Sequence, residues 1–223
     1  MTTKVLDTFT EGSDTALGSH TPDTDIVGSG WTADTGVAVD STLDKVDFTA
    51  VSRGAFIPAG ATGDMIVKAT FNARSGDNRL EIQCKRNTNS LATRDCYRLN
   101  CQPGVTTLVL DEINSGSASN IATDSSPVAS LNNSSDFVYE LRYAAGGALS
   151  VYIDGVAETG VTGTDVSDTH GALTSAGFAH FKYVASGGTL DQFEVYDAVP
   201  AAGSATPHGP FGLVFHGPFG GPI

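Results

Sequence analysis

The chain has 223 residues, of which 17% are charged and 40% hydrophobic, with 26 glycines and a formal net charge of −13. So acidic a chain opposes general binding to nucleic acid or to an anionic membrane, whose phosphates are met mainly by clustered Lys and Arg. There is no apolar run long enough to span a bilayer and no apolar signal core behind Met1, so the sequence predicts a soluble protein made in the cytoplasm.

Apolar residues recur at period two from the start. Val5, Asp7 and Phe9 share one side of a first strand, and Val37 and Val39 share one side of a later one. Further strands are predicted at Lys45–Thr49, Met65–Ala73, Leu80–Lys85, Tyr97–Cys101, Thr107–Ile113, Phe137–Tyr143, Leu149–Ile153, Gly177–Tyr183 and Leu190–Tyr196. Phe137, Tyr139, Leu141 and Tyr143 fall on one face. Leu149, Val151 and Ile153 fall on another and end at Asp154-Gly155, a hairpin-turn dipeptide. Such faces line the core of a sandwich of two antiparallel sheets, and no long helical pattern competes, so the fold class is all-β. The polar, turn-rich segments Gly12–Gly30, Asn114–Asp136 and Thr159–Thr174 read as loops over the sandwich ends.

After Asp197 the composition turns to Ala-Val-Pro-Ala-Ala-Gly-Ser-Ala-Thr-Pro, a linker signature, which divides the chain into a body at 1–197 and a linker with an arm at 198–223. In the arm His208-Gly209-Pro210-Phe211-Gly212 returns as His216-Gly217-Pro218-Phe219-Gly220 around Leu213-Val214-Phe215. Proline and glycine make such a segment run extended or in turns. Ordering it costs about 1–2 kcal/mol per residue. Burying Phe211, Leu213, Val214, Phe215, Phe219 and Ile223 would return about 1.5–3 kcal/mol each. The balance calls for a partner, and His208, Pro210, Phe211, Leu213, Val214, Phe215, His216, Pro218, Phe219 and Ile223 are its predicted docking residues. His208 and His216 read as shaping this arm rather than holding a metal.

Cys84, Cys96 and Cys101 are too few and too unevenly spaced for a disulfide framework. Cys84 and Cys101 fall in phase with apolar neighbours and read as core, whereas Cys96 has the opposite phase and is the candidate for exposure. Arg74, Arg79, Lys85, Arg86, Arg94 and Arg98 concentrate the positive charge in one stretch. They read either as a solvated hairpin balanced by Asp77, Glu81 and Asp95 or as a contact for an acidic partner surface.

The motifs Asp7-Thr8-Phe9, Gly30-Trp31-Thr32, Ser150-Val151-Tyr152-Ile153-Asp154-Gly155-Val156 and Leu190-Asp191-Gln192-Phe193-Glu194-Val195 resemble the concanavalin A-like lectin/glucanase, or laminin-G-like, jelly roll over residues 4–197. The opening Asp7-Thr8-Phe9-Thr10, with His20-Thr21-Pro22-Asp23 and Gly30-Trp31-Thr32, is also similar to domains of tailed-bacteriophage structural proteins. The first resemblance implies that the first and last strands are neighbours, which makes Asp7 and Asp191 candidate Ca²⁺ ligands.

Glucanases of this resemblance carry acids alternating along one strand, and no such run occurs here. Asp111 and Glu112 are adjacent and face opposite sides of a strand. There is no nucleophile elbow, phosphate loop or zinc motif. His20, His170 and His180 read as hydrogen-bonding residues, Trp31 as core, and Asn132, Asn133 and Asp136 as polar contacts in a loop. The expected function is that of a non-enzymatic virion structural protein, a bacteriophage capsid decoration (cement) protein on the capsid surface. It would bind the major capsid protein or another virion protein through body and arm and form a homo-oligomer, with a trimer fitting a quasi-threefold lattice. A carbohydrate-binding module on a phage fibre or bacterial surface is the alternative, which would add a glycan partner, and a glycoside hydrolase is a third reading.

Overall fold

The computed structural model describes residues 1–60, 63–72, 79–87, 95–102, 106–127, 131, 135–144, 146–164, 177–184 and 187–197. The linker and arm at 198–223, with every predicted docking residue, lie outside the described residues, as do Arg74, Asp77, Arg94, Asn132, Asn133 and His170. The strands in chain order are β1 Thr3–Asp7, β2 Thr15–Ala16, β3 Thr24–Asp25, β4 Thr32–Ala33, β5 Val37–Asp40, β6 Lys45–Phe48, β7 Arg53–Pro58, β8 Met65–Asn72 and β9 Leu80–Arg86. They continue with β10 Cys96–Gln102, β11 Thr107–Asn114, β12 Ser117–Asp124, β13 Phe137–Ala144, β14 Ala148–Ile153, β15 Val156–Ala157, β16 Gly163–Thr164, β17 Phe178–Tyr183 and β18 Thr189–Tyr196.

These strands form an antiparallel jelly-roll sandwich of two sheets. One is eleven-stranded and runs β15-β14-β13-β8-β18-β6-β5-β2, with β1 and β3 added beyond β18 and β16 beside β14. The other is seven-stranded and runs β12-β11-β10-β9-β17-β7-β4. β18 gives its edge to β6 at one end and to β1 along the rest, so the first and last strands of the body are neighbours. The Thr2 amide donates to the Asp197 carboxylate at 2.8 Å, and Lys4 pairs with the same side chain at 3.2 Å, closing the two ends together.

Period-two alternation explains the core. β8 and β13 turn Val67, Ala69, Phe71, Tyr139 and Leu141 inward, and β9, β10 and β17 of the other sheet answer with Leu80, Ile82, Tyr97, Leu99 and Phe181. Phe181 ties the layers together. Its ring lies 5.2 Å from Trp31, 5.3 Å from Phe193 and 5.9 Å from Phe48, in the inclined and edge-on arrangements that aromatic quadrupoles favour. Gly54 is required where β7 meets β17, because a Cβ there would run into the Phe181 carbonyl. At Asp154-Gly155 both residues are left-handed, with φ of 51° and 79°, as a two-residue hairpin turn needs, and the dipeptide joins β14 to β15.

Several boundaries differ from the sequence reading. The first strand stops at Asp7, because Phe9 turns into the left-handed region at φ 52° while its amide bonds the Asp7 carboxylate. The predicted loop Asn114–Asp136 contains β12, an edge strand whose Ser-Ala-Ser-Asn-Ile-Ala-Thr-Asp is largely exposed and so carries no apolar alternation. The predicted loop Gly12–Gly30 contains β2, β3 and a 3-10 turn over Leu17–Ser19. β7 lies where no strand was predicted.

The basic stretch is not one surface. β9 bulges after Gln83: Phe178 faces Arg86 and His180 faces Gln83, leaving Cys84 and Lys85 opposite a single residue. Lys85, at φ 52°, turns inward, where its ammonium lies 5.4 Å from the Tyr143 ring centroid and donates to the Gly63 carbonyl at 3.2 Å. Arg86 and Arg98 are left on the opposite side of the sheet, and Arg98 is matched by Glu81, one of the acids expected to balance it.

Candidate functional site: the outward face of the seven-stranded sheet

The residues that alternate with the core on β9, β10, β11 and β17 point away from the sandwich interior. β9 supplies Glu81 and Gln83, β10 supplies Cys96, Arg98 and Asn100, β11 supplies Val109 and Asp111, and β17 supplies His180 and Lys182. Register sets them side by side. Glu81 lies opposite Asn100 and Gln83 opposite Arg98; Arg98 then lies opposite Asp111, and on the other flank Lys182 faces Glu81 and His180 faces Gln83. Phe56 of β7 and Phe178 of β17 close one end, their centroids 6.0 Å apart, with Phe56 5.7 Å from the Arg86 guanidinium.

An outward face of a sandwich is ordinarily solvated. Here Glu81, Asn100 and Asp111 are each only 5% exposed and Gln83 is fully buried. Arg98 links the acids, donating through Nη2 and Nε to Asp111 at 2.6 and 3.1 Å and through Nη1 to Glu81 at 3.4 Å. Burial works against its charge, but the neighbouring Glu81 and Asp111 outweigh that and raise the Arg98 pKa above its ordinary value. Three buried polar atoms on this face have no hydrogen-bond partner: Glu81 Oε2, Gln83 Nε2 and Asn100 Oδ1. Burying polar atoms without partners is costly, and here three of them cluster on adjacent strands of one sheet.

Glu81 and Asp111 both pair with Arg98, which lies between them, instead of facing each other across an open cleft as the two carboxyl groups of a glycosidase do. Glu112 alternates away from Asp111, opposite the core residue Tyr97, as the sequence predicts. Cys96 has the predicted outward phase but is buried, its Sγ 3.5 Å from Gln83 Oε1. Burial without a matching cation raises the Cys101 thiol well above its usual range, in keeping with an inert core cysteine.

A second polar cluster lies under the N-terminal loop. Asp7 is fully buried, and its Oδ1 meets His20 Nε2 and the Phe9 amide at 2.8 Å each, while Oδ2 accepts the Trp31 indole N–H at 2.6 Å. His20 Nδ1 lies 2.6 Å from Glu11. Beside it a pocket of about 400 Å³ is framed by Gly18–Pro22, Asp25 and Gly28–Gly30. Asp25 is also spent, accepting the amides of Val27, Gly28 and Gly30 at 3.1, 2.9 and 2.8 Å. This arrangement does not fit Ca²⁺. Both Asp7 oxygens already take N–H donors, Asp191 pairs with Lys45 at 3.4 Å, and no group of three or more metal-ligating side chains occurs among the described residues. Trp31 is in the core, as predicted, and His20 and His180 are hydrogen-bonding or packed residues on a loop and a strand.

No protein-family model matches this chain, and no curated protein matches it. Solved structures do. A Bacillus subtilis protein of unknown function with a galectin-like fold superposes with a TM-score of 0.58 at 13% identity, covering 87% of this chain and 99% of the other. An endo-acting O-glycanase structure from the human gut microbiota, associated with mucin breakdown, gives 0.58 at 11% identity, covering 89% and 100%. The Emp46p carbohydrate recognition domain, in a potassium-bound form, gives 0.56 at 12% identity, covering 82% and 95%. At such identities the likeness is one of fold: a galectin-like, lectin-type β-sandwich.

Proposed function

We propose that this chain is a non-enzymatic carbohydrate-binding module whose glycan lies on the outward face of the seven-stranded sheet. The observation that carries the reading is the row of polar side chains Glu81, Gln83, Arg98, Asn100 and Asp111 on adjacent strands of one sheet face, beside the Phe56–Phe178 aromatic end, in a lectin-type sandwich. Hydroxyl-rich ligands are held by such converging hydrogen-bonding groups next to an aromatic surface. The Emp46p domain, a carbohydrate recognition domain of this fold, supports the same reading.

Asn100→Ala tests it, because Asn100 Oδ1 makes no hydrogen bond that the fold would lose. Glycan affinity should fall about tenfold, the effect of one lost ligand hydrogen bond, with the thermal midpoint little changed. Unchanged affinity would remove this face from binding.

We further propose that the module is carried on a bacteriophage particle, bound to the major capsid protein or another virion protein as a homo-oligomer. The support is the opening Asp7-Thr8-Phe9-Thr10 motif and the repeated arm. Mass spectrometry of purified particles should detect the chain at stoichiometric copy number; its absence from them would end that reading.

A further inference from the structure

Independently of the glycan and particle readings, we infer that the pocket under the N-terminal loop receives the chain's own C-terminal arm, with Pro210-Phe211 of the first repeat as the unit that enters it. The pocket, about 400 Å³ and framed by Gly18–Pro22, Asp25 and Gly28–Gly30, is of the size that encloses a small ligand or a pair of side chains. Gly28 and Gly30 hold left-handed turns in its wall, and a Cβ on either would meet nothing, so that side of the pocket is open backbone. Ile26 and Val27 lie between Asp25 and Gly28 on the same wall and are 58% and 43% exposed. Among the described residues they are the only two exposed large apolar side chains that are neighbours in the chain. An apolar pair uncovered at the mouth of a pocket marks a place where another apolar group docks.

The body's last strand delivers the arm to this place. β1 lies between β18 and β3: Val5 faces Val195 on one side and Asp25 on the other. Asp197 is held at Thr2 and Lys4, and the Lys4 carbonyl accepts the Ile26 amide at 3.1 Å. Asp197 and Ile26 are thus two strand spacings and about two residues apart, about 12 Å. The linker at 198–207 would span up to about 33 Å when extended, so Pro210-Phe211 reaches the pocket without strain. A tether this short gives the chain's own arm an effective concentration of order mM, which the arm of a second copy does not match in dilute solution. The nearer repeat is favoured for the same reason, and the repeat at 216–220 is left free.

Charge is complementary. The loop about the pocket carries Glu11, Asp23 and Asp25, whereas 198–223 has no acidic side chain and its ionisable side chains are His208 and His216. His208, two residues before Pro210, would come against those carboxylates as Phe211 covers Ile26 and Val27.

Amide hydrogen exchange of the full chain, compared with Phe211→Ser, tests this. The Val27, Gly28 and Gly30 amides, which bond Asp25, are the reporters. Their exchange should rise at least about tenfold in the variant, with exchange in β8 and β13 unchanged. Ile26→Asp tests the other side of the contact: the residue is exposed, so the core is untouched, and chymotryptic cleavage after Phe211 should be at least about tenfold faster than in the native chain. Reporter exchange unaltered by Phe211→Ser, or cleavage unaltered by Ile26→Asp, would overturn the docking. Protection that grows with protein concentration would overturn it as well, assigning the pocket to the arm of a second copy.

Discussion

Replacing Asp7 by Ala should lower the free energy of unfolding by about 3–5 kcal/mol, as removal of one partner from a buried charged pair typically does. The carboxylate is fully buried and holds three donors: His20 Nε2, the Phe9 amide and the Trp31 indole N–H. Without it all three are left in the interior with no acceptor. Urea denaturation at neutral pH measures the loss; a change below about 1 kcal/mol would mean the cluster relaxes to water and contributes little. The same cluster predicts a pH dependence. Burial tends to lower the His20 pKa, but hydrogen bonds and charges from Asp7 and Glu11 outweigh it, so the folded-state value is raised above about 6.5. Its stabilising contribution is therefore fully present below about pH 6.5 and is lost as pH rises through the raised folded value. His20→Gln should flatten the stability profile across that window.

Arg98→Met should cost a similar amount, about 3–5 kcal/mol, because Glu81 and Asp111 would then face each other as buried carboxylates with no counter-charge between them. The triple replacement Arg98→Met, Glu81→Leu and Asp111→Leu removes every one of those charges and should recover most of the loss, since apolar groups of similar volume often replace a buried ionic triad without penalty. It should not recover glycan binding. Calorimetric stability paired with array binding separates the two roles, and a triple variant that binds as the native chain does would show that the triad only holds the sheet together.

The strands that pair apolar alternation with a buried neighbour were readable from the sequence. Phe137–Tyr143 and Leu80–Lys85 are within a residue of β13 and β9, because one face of each strand must be apolar to fill the core. β12 was not readable: exposed over Ser117–Asn120 and only half-buried at Ile121 and Ala122, this edge strand is held by backbone pairing with β11, and its side chains show no apolar alternation. Nor was the bulge that turns Lys85 inward, since it depends on how β9 fits β17. The polar outward face left a trace that strand assignment ignores. In Leu80-Glu81-Ile82-Gln83-Cys84 and Tyr97-Arg98-Leu99-Asn100-Cys101 the polar residues alternate with the core at period two. Alternation alone reads as an ordinary wet face; only burial and the missing hydrogen-bond partners distinguish it. The sequence places Asp7 beside the last strand, where it lies, but its partners His20 and Trp31 are 13 and 24 residues away and meet it only when the N-terminal loop folds back.

The pairing of β1 with β18, locked by Thr2 and Asp197, means that the body is entered and left through the same layer. A host polypeptide could take up this body at a surface loop as an insertion whose two junctions sit a few ångströms apart, without parting the loop's own ends. Anything tethered at either junction would emerge from the eleven-stranded layer, leaving the seven-stranded layer clear of both junctions. The topology thus brings both junctions into one layer of the sandwich.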